Sequence, residues 1–146
     1  MKSLIAASLL LATLSAGLSI FGLLQKHEPA DKEVEVAGAL RIVDENGWFV
    51  LNDDVHKPKN IDRINVYKGY IIVHFTFTAS DIHSFMVSPD ESFVFAGFIF
   101  GTSVYRSYAA IAVSRIVDGN VEKVDASRIR SNLGNIWIYG KFSIDG

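Results

Sequence analysis

The chain has 146 residues, of which 21% are charged, with a net charge of −2 and no cysteine. This length suits one domain with an additional element. The absence of cysteine excludes disulfides, thiol catalysis and cysteine-based zinc sites. The positive residues are scattered singly, which argues against the basic footprint of a nucleic-acid-binding protein, so we expect no nucleic-acid partner.

The N-terminal region is dominated by residues 3–25, which carry no charge and lie between Lys2 and Lys26. About 20 apolar residues are enough to cross a membrane as a helix, so the stretch can be a membrane or signal-anchor helix. It can also be a helix buried in a protein assembly, or a cleaved signal peptide. Because its apolar character continues past the small residues that suit cleavage, we expect residues 1–25 to form an anchor or assembly helix.

The same stretch has a heptad pattern. The a and d positions are occupied by Leu4, Ala7, Leu11, Leu14, Leu18 and Phe21. The f positions opposite this seam are apolar as well, and a helix that is apolar all round must lie in lipid or in protein. Ser8, Ala12 and Ala16 form a row of small residues that favours close helix packing. The sequence therefore predicts association through residues 4–24, with other copies, with other proteins or with a membrane.

Residues 26–35 read as a polar linker, and residues 36–146 read as β-structure. Three hairpins are expected, around Asn46-Gly47, Lys68-Gly69 and Asp118-Gly119-Asn120. Residues 70–78 alternate apolar and polar side chains with a period of two. Residues 93–100 and 136–142 are expected to be further strands, and residues 127–132 a loop or one helical turn. The predicted fold is an all-β, antiparallel β-sandwich, jelly-roll-like, preceded by one hydrophobic α-helix.

Residues with catalytic or metal-binding potential are few. Residues 52–56 gather two carboxylates and an imidazole, but their setting is typical of a polar loop. Residues 80–84 contain serine, aspartate and His83, so a hydrolase that uses His83 stays an alternative hypothesis, although adjacency in sequence says little about a triad. His74 is expected to be exposed or hydrogen-bonded. We therefore predict no catalytic residue, no metal and no cofactor, and expect a protein that is not an enzyme.

Four aromatic residues have a side chain that suits either ligand binding or packing in a core or between subunits. They are Tyr105, Tyr108, Trp137 and Tyr139. As ligand contacts, they would line a carbohydrate-binding surface.

Several segments of the β region resemble a small domain of virion-associated and tail-fibre-like proteins of tailed bacteriophages. The resemblance spans residues 36–146, and its carriers are residues 38–43, 47–53, 56–58, 89–93 and 134–140. It implies a homotrimer on a virion, with other virion proteins as partners. A fibre protein usually begins with a virion-binding segment or a soluble stalk, so the apolar residues 4–24 add a membrane-anchored or exported surface as the alternative location. A host-surface glycan or protein is the other expected partner. The expected function is a non-enzymatic, fibre- or spike-like structural protein for attachment or assembly. The alternative is an exported, monomeric β-sandwich module that binds carbohydrate or another ligand.

Overall fold

The computed structural model describes residues 30–42, 49–129 and 133–146, and the predicted N-terminal helix lies outside these residues. Residues 31–146 form one compact unit. Its strands are β1 (Lys32–Ile42), β2 (Phe49–Leu51), β3 (Ile61–Tyr67), β4 (Tyr70–Phe75), β5 (Asp81–Pro89), β6 (Phe98–Val104), β7 (Tyr108–Val117), β8 (Asn120–Val124) and β9 (Ile136–Ile144). A short helix, α1 (Glu91–Phe95), precedes β6, and a 3₁₀ turn (Ala126–Arg128) follows β8. The fold is all-β, as predicted.

One antiparallel sheet, sheet A, has the strand order β2-β1-β9-β5. Its central pair joins the first strand to the last, from Lys32 opposite Ile144 to Leu40 opposite Ile136. Strand β1 thus begins at Lys32, inside the segment that the sequence predicts to be a linker. The hairpin predicted around residues 46–47 has its two strands paired, with Leu40 opposite Leu51, while its turn lies outside the described residues.

The other antiparallel sheet, sheet B, has the order β3-β4-β7-β6, with β8 also paired to β7. Strand β6 occupies one edge of β7 over residues 109–115. On the opposite edge, β4 pairs with residues 108–111 and β8 pairs with residues 113–117. Strand β7 is therefore paired on both edges, and β4 and β8 follow one another along the same edge of it.

Both sheets contribute side chains to one buried core. In β4, Ile71, Val73 and Phe75 are buried while Ile72 and His74 are half-buried, which confirms the predicted alternation. The largest fully buried side chains come from both sheets and α1: Phe93, Phe142, Leu40, Ile71, Ile111, Ile136, Val36, Val73 and Val113. Burying such side chains is the main force that holds the described domain together.

Two of the predicted hairpin turns lie within the described residues and are confirmed. Lys68 and Gly69 have φ of 49° and 82°, and Asp118 and Gly119 have φ of 50° and 80°. Positive φ at both central residues of a two-residue loop matches the twist of the flanking strands. These turns fix the registers of β3 with β4 and of β7 with β8.

The prediction of one continuous strand over residues 93–100 is wrong. Phe93 lies in α1, and the strand begins only at Phe98, after Gly97 with φ of 82°. The helical turn lets Phe93 become fully buried, with its ring 5.5 Å from that of Phe100. The periodicity of apolar residues does not distinguish a short, uniformly apolar strand from a buried helical segment. The helical segment at Phe93 was therefore predicted as part of a strand.

Candidate functional site

The outer face of sheet B carries an aromatic surface. Because side chains alternate along a strand, Tyr70, Ile72 and His74 point away from the core on β4. The register places Ile72 opposite Ala110, and Ala110 opposite Ser103. The middle of this face therefore has a low floor of small and aliphatic side chains.

Aromatic side chains border this floor on two sides. Tyr67 and Tyr70 stand on one side, and His74, Tyr108 and Tyr105 stand on the other. Tyr70 and His74 are four residues apart on one strand, which corresponds to about 13 Å. The feature is an open concavity with a volume of about 500 Å³. We call this feature the tyrosine trough.

Contacts between side chains hold both walls of the trough. The rings of Tyr105 and Tyr108 stack with centroids 4.5 Å apart and an angle of 20° between their planes. Opposite them, Lys123 Nζ lies 4.1 Å from the centroid of Tyr70 and donates a 2.8 Å hydrogen bond to its hydroxyl oxygen. These contacts restrain the rings of Tyr105, Tyr108 and Tyr70, and side chains that are restrained before binding lose less entropy when a ligand binds.

His74 adds a polar group to the trough. Its Nε2 donates a 2.7 Å hydrogen bond to Asn65 Oδ1, and its ring lies 6.2 Å from that of Tyr108. Partial burial, followed by the charge of Arg63, holds the pKa of His74 below its ordinary value. The ring is therefore neutral at neutral pH and contributes a flat, weakly polar surface.

The four aromatic residues predicted from the sequence do not form one site. Tyr105 and Tyr108 lie in the trough, whereas Trp137 and Tyr139 lie on β9, on the outer face of sheet A. That second surface, next to Met86, encloses only about 230 Å³. Trp137 is tied down there, because its Nε1 donates a 2.8 Å hydrogen bond to Asp90 Oδ1.

Sequence reasoning missed Tyr67 and Tyr70 as trough residues. The signal that points to them is the Lys68-Gly69 turn, which places Tyr67 directly opposite Tyr70. Combining that hairpin with the alternation of β4 puts both tyrosines on the same face as His74.

The hydrolase hypothesis finds a partner for His83 that the sequence did not suggest. His83 Nε2 is 2.7 Å from Ser143 Oγ, and its Nδ1 is 3.9 Å from Asp81 Oδ2. A register shift between Ile82 and Ser84 marks a bulge, which turns His83 toward β9. Ser143 is only 6% exposed, so it is not presented to a substrate. The arrangement has the residue types of a triad without an accessible nucleophile.

The predicted polar loop at residues 52–56 is held by contacts within the protein. Asn52 is 6% exposed and donates a 2.7 Å hydrogen bond to Asn135, and Asp54 lies 3.8 Å from Arg41. Among the described residues, no group of three or more His, Asp or Glu side chains is arranged to hold a metal ion. No helix in the described ranges has the length and apolarity needed to cross a membrane.

No protein-family model, curated protein or solved structure matches the chain. The resemblance to bacteriophage virion proteins therefore stays a prediction from the sequence.

Proposed function

We propose that residues 31–146 form a non-enzymatic β-sandwich module for attachment, which binds a saccharide in the tyrosine trough. The module is displayed on a virion or cell surface and is anchored through residues 4–24. The sandwich arrangement is supported by the single core to which both sheets contribute. The trough carries the binding proposal.

The trough has the chemistry of a saccharide site. The apolar face of a sugar ring packs against an aromatic ring, and the hydroxyl groups at the sugar's edge need hydrogen-bond partners. Tyrosine offers both an apolar body and a polar tip. Asn65 and Ser103 add polar groups at the border, and the volume of about 500 Å³ lies within the usual range for ligand sites.

Binding of the full-length protein to a glycan array in mild detergent tests this proposal. Tyr67→Ala and Tyr105→Ala remove trough walls that are 59% and 47% exposed, so neither change disturbs the core. Tyr139→Ala, on the other sheet and 36% exposed, is the matched control. We expect each trough variant to lose binding by about tenfold or more, as for one aromatic contact of about 1.4 kcal/mol, while the control binds normally. Absence of saccharide binding, or binding that survives both trough changes, would overturn the proposal.

A second candidate function, the oligomeric structural protein, is favoured by a separate surface. Phe95 is 80% exposed on α1, and Val94 is 58% exposed. Ile116 and Val121, opposite one another on β7 and β8, are 49% and 66% exposed. The backbone N–H of Ile116 donates to the carbonyl of Gly97, which brings this hairpin beside α1. We call these four apolar side chains the apolar patch.

The apolar patch suits contact with further copies of the chain in a homotrimer, because exposed apolar side chains in one place mark association surfaces. Sedimentation velocity of the full-length protein in mild detergent tests this. We expect an oligomer that Phe95→Ser and Val121→Ser weaken, while Val55→Ser, a change at a 48% exposed loop residue, does not. A monomer at micromolar concentration, or an oligomer indifferent to the patch changes, would contradict self-association through the patch.

A further inference from the structure

A second concave region adjoins the tyrosine trough and is rich in positive charge. It is lined by Lys68, Lys123 and Arg128 together with Asp125, and it is an open concavity of about 480 Å³. Lys68 also lines the trough, and Lys123 contacts the trough residue Tyr70. We call this region the cationic pocket.

Backbone contacts bring these charges together from distant parts of the chain. The N–H of Ala126 donates a 3.0 Å hydrogen bond to the carbonyl of Gly69. Gly69 has φ of 82°, and a Cβ there would lie 3.3 Å from the Cα of Asp125. The turn that carries Lys68 therefore lies against the 3₁₀ turn that carries Arg128.

Among the described residues, none of the three cations of the pocket forms a salt bridge with a carboxylate. Two lysines elsewhere on the protein are paired with carboxylates, Lys59 with Glu35 at 2.7 Å and Lys141 with Glu33 at 3.4 Å. In the pocket, Lys123 donates to a neutral phenol, and Lys68 lies 5.3 Å from the centroid of the Tyr67 ring. Neither contact supplies a negative charge, so among the described lining residues the one carboxylate that offsets the three cations is that of Asp125.

Asp125 does not neutralise the pocket. Its Oδ1 accepts hydrogen bonds from the backbone N–H of Ser127 at 3.0 Å and from its hydroxyl at 2.6 Å. These bonds, and then Arg128 and Lys123, hold the pKa of Asp125 below its ordinary value, so the carboxylate is ionised at neutral pH. Three positive groups and one negative group leave a local charge of about +2 at neutral pH, against a whole-chain charge of −2.

We propose that the saccharide bound by the trough is acidic, and that the cationic pocket binds its anionic group. This inference rests on the proposed function of the trough. A sugar ring against Tyr70 would place a carboxylate or sulfate substituent beside Lys123, with Lys68 and Arg128 completing the site. Charge-assisted hydrogen bonds of this kind are stronger than neutral ones, so they would select acidic over neutral saccharides.

The test uses an array that carries acidic saccharides together with their carboxyl-esterified or desulfated counterparts. Full-length protein is compared with Lys68→Gln and Arg128→Gln, which remove a charge from exposed side chains. Lys57→Gln is the control, because Lys57 is an exposed loop lysine that lines neither region. We expect each pocket variant to bind acidic saccharides about tenfold more weakly, as for loss of one hydrogen bond to a charged group, with the control unchanged.

The outcomes separate the two proposals. One outcome is that acidic and neutral saccharides bind equally, and that Tyr105→Ala abolishes this binding while Arg128→Gln does not. This result overturns the proposal of an acidic ligand and leaves the trough as a saccharide site. Absence of binding to every saccharide overturns both. Binding of single-stranded nucleic acid in place of saccharides, measured on the same protein, also overturns both. Thermal unfolding of each variant shows whether the fold is intact. Arg128→Gln is the decisive variant, because the Arg128 guanidinium makes no hydrogen bond to the described residues and its loss removes a charge without removing such a bond.

Discussion

Gly134 lies just before β9, where the backbone passes Asp90. Its φ is 103°, and a Cβ added there would lie 2.6 Å from Asp90 Oδ2. That oxygen accepts a 2.7 Å hydrogen bond from the backbone N–H of Asn135, while Oδ1 accepts one from Trp137. Gly134→Ala should therefore strain the backbone and displace the carboxylate that joins the start of α1 to β9.

The size of the effect follows from a comparison with Gly119, which has φ of 80° and no atom within 4 Å of an added Cβ. Gly119→Ala carries only the cost of positive φ, about 1 kcal/mol. Gly134→Ala adds the loss of a hydrogen bond to a charged acceptor, about 1.5–3 kcal/mol. We expect the two variants to differ by roughly 2 kcal/mol.

Chemical denaturation followed by intrinsic fluorescence measures this difference, because Trp137 donates to the displaced carboxylate. Thermal melts should separate the variants by about 4 °C for each kcal/mol. Equal losses of stability in Gly134→Ala and Gly119→Ala would refute the reasoning, because they would show that the contact with Asp90 contributes nothing to the free energy of unfolding.

Phe93→Ala should lower the free energy of unfolding by about 3–5 kcal/mol because the ring is fully buried, whereas Phe95→Ala, 80% exposed on the same helix, should change it little; chemical denaturation of both decides this. Glu35 has a pKa below its ordinary value, first through the hydrogen bond from Lys59 and then through its charge. Its contribution to stability is present above the unfolded pKa and is lost as the pH falls through the folded one, so Glu35→Gln should flatten the acid limb of a plot of stability against pH. An unchanged acid limb would contradict that linkage. The pKa of His74 is lowered by burial, so an NMR titration should give a lower midpoint in the folded protein than in denaturant, and a higher folded midpoint would contradict the burial argument.

The local parts of the fold were predictable from the sequence. Glycine-containing turns after residues 67 and 117, flanked by apolar residues, identified two hairpins that the structure contains. The pairing of β1 with β9 was not predictable, because the partners are about a hundred residues apart and no turn connects them. The helix at Phe93 was missed because a run of phenylalanine and valine fits both the 3.6-residue period of a helix and the two-residue period of a strand.

The candidate site was predictable only in part, for a related reason. Tyr105 directly follows β6 and Tyr108 begins β7, so their proximity follows from local structure. Their position across the trough from Tyr70 depends on the pairing of β4 with β7, two strands that β5, α1 and β6 separate along the chain. The cationic pocket depends on Lys68 meeting Arg128, a contact that no spacing in the sequence indicates.

The pairing of β1 with β9 also has a consequence for synthesis on the ribosome. Strands β3 to β8 are complete once residue 124 has emerged, so sheet B and the tyrosine trough can form while the chain is still growing. Sheet A must wait, because both β1 and β5 pair with β9 and therefore need residues 136–144. Until then the apolar side of sheet B lacks the cover that sheet A gives it in the described domain, so we expect chaperones to bind nascent chains that stall in this interval.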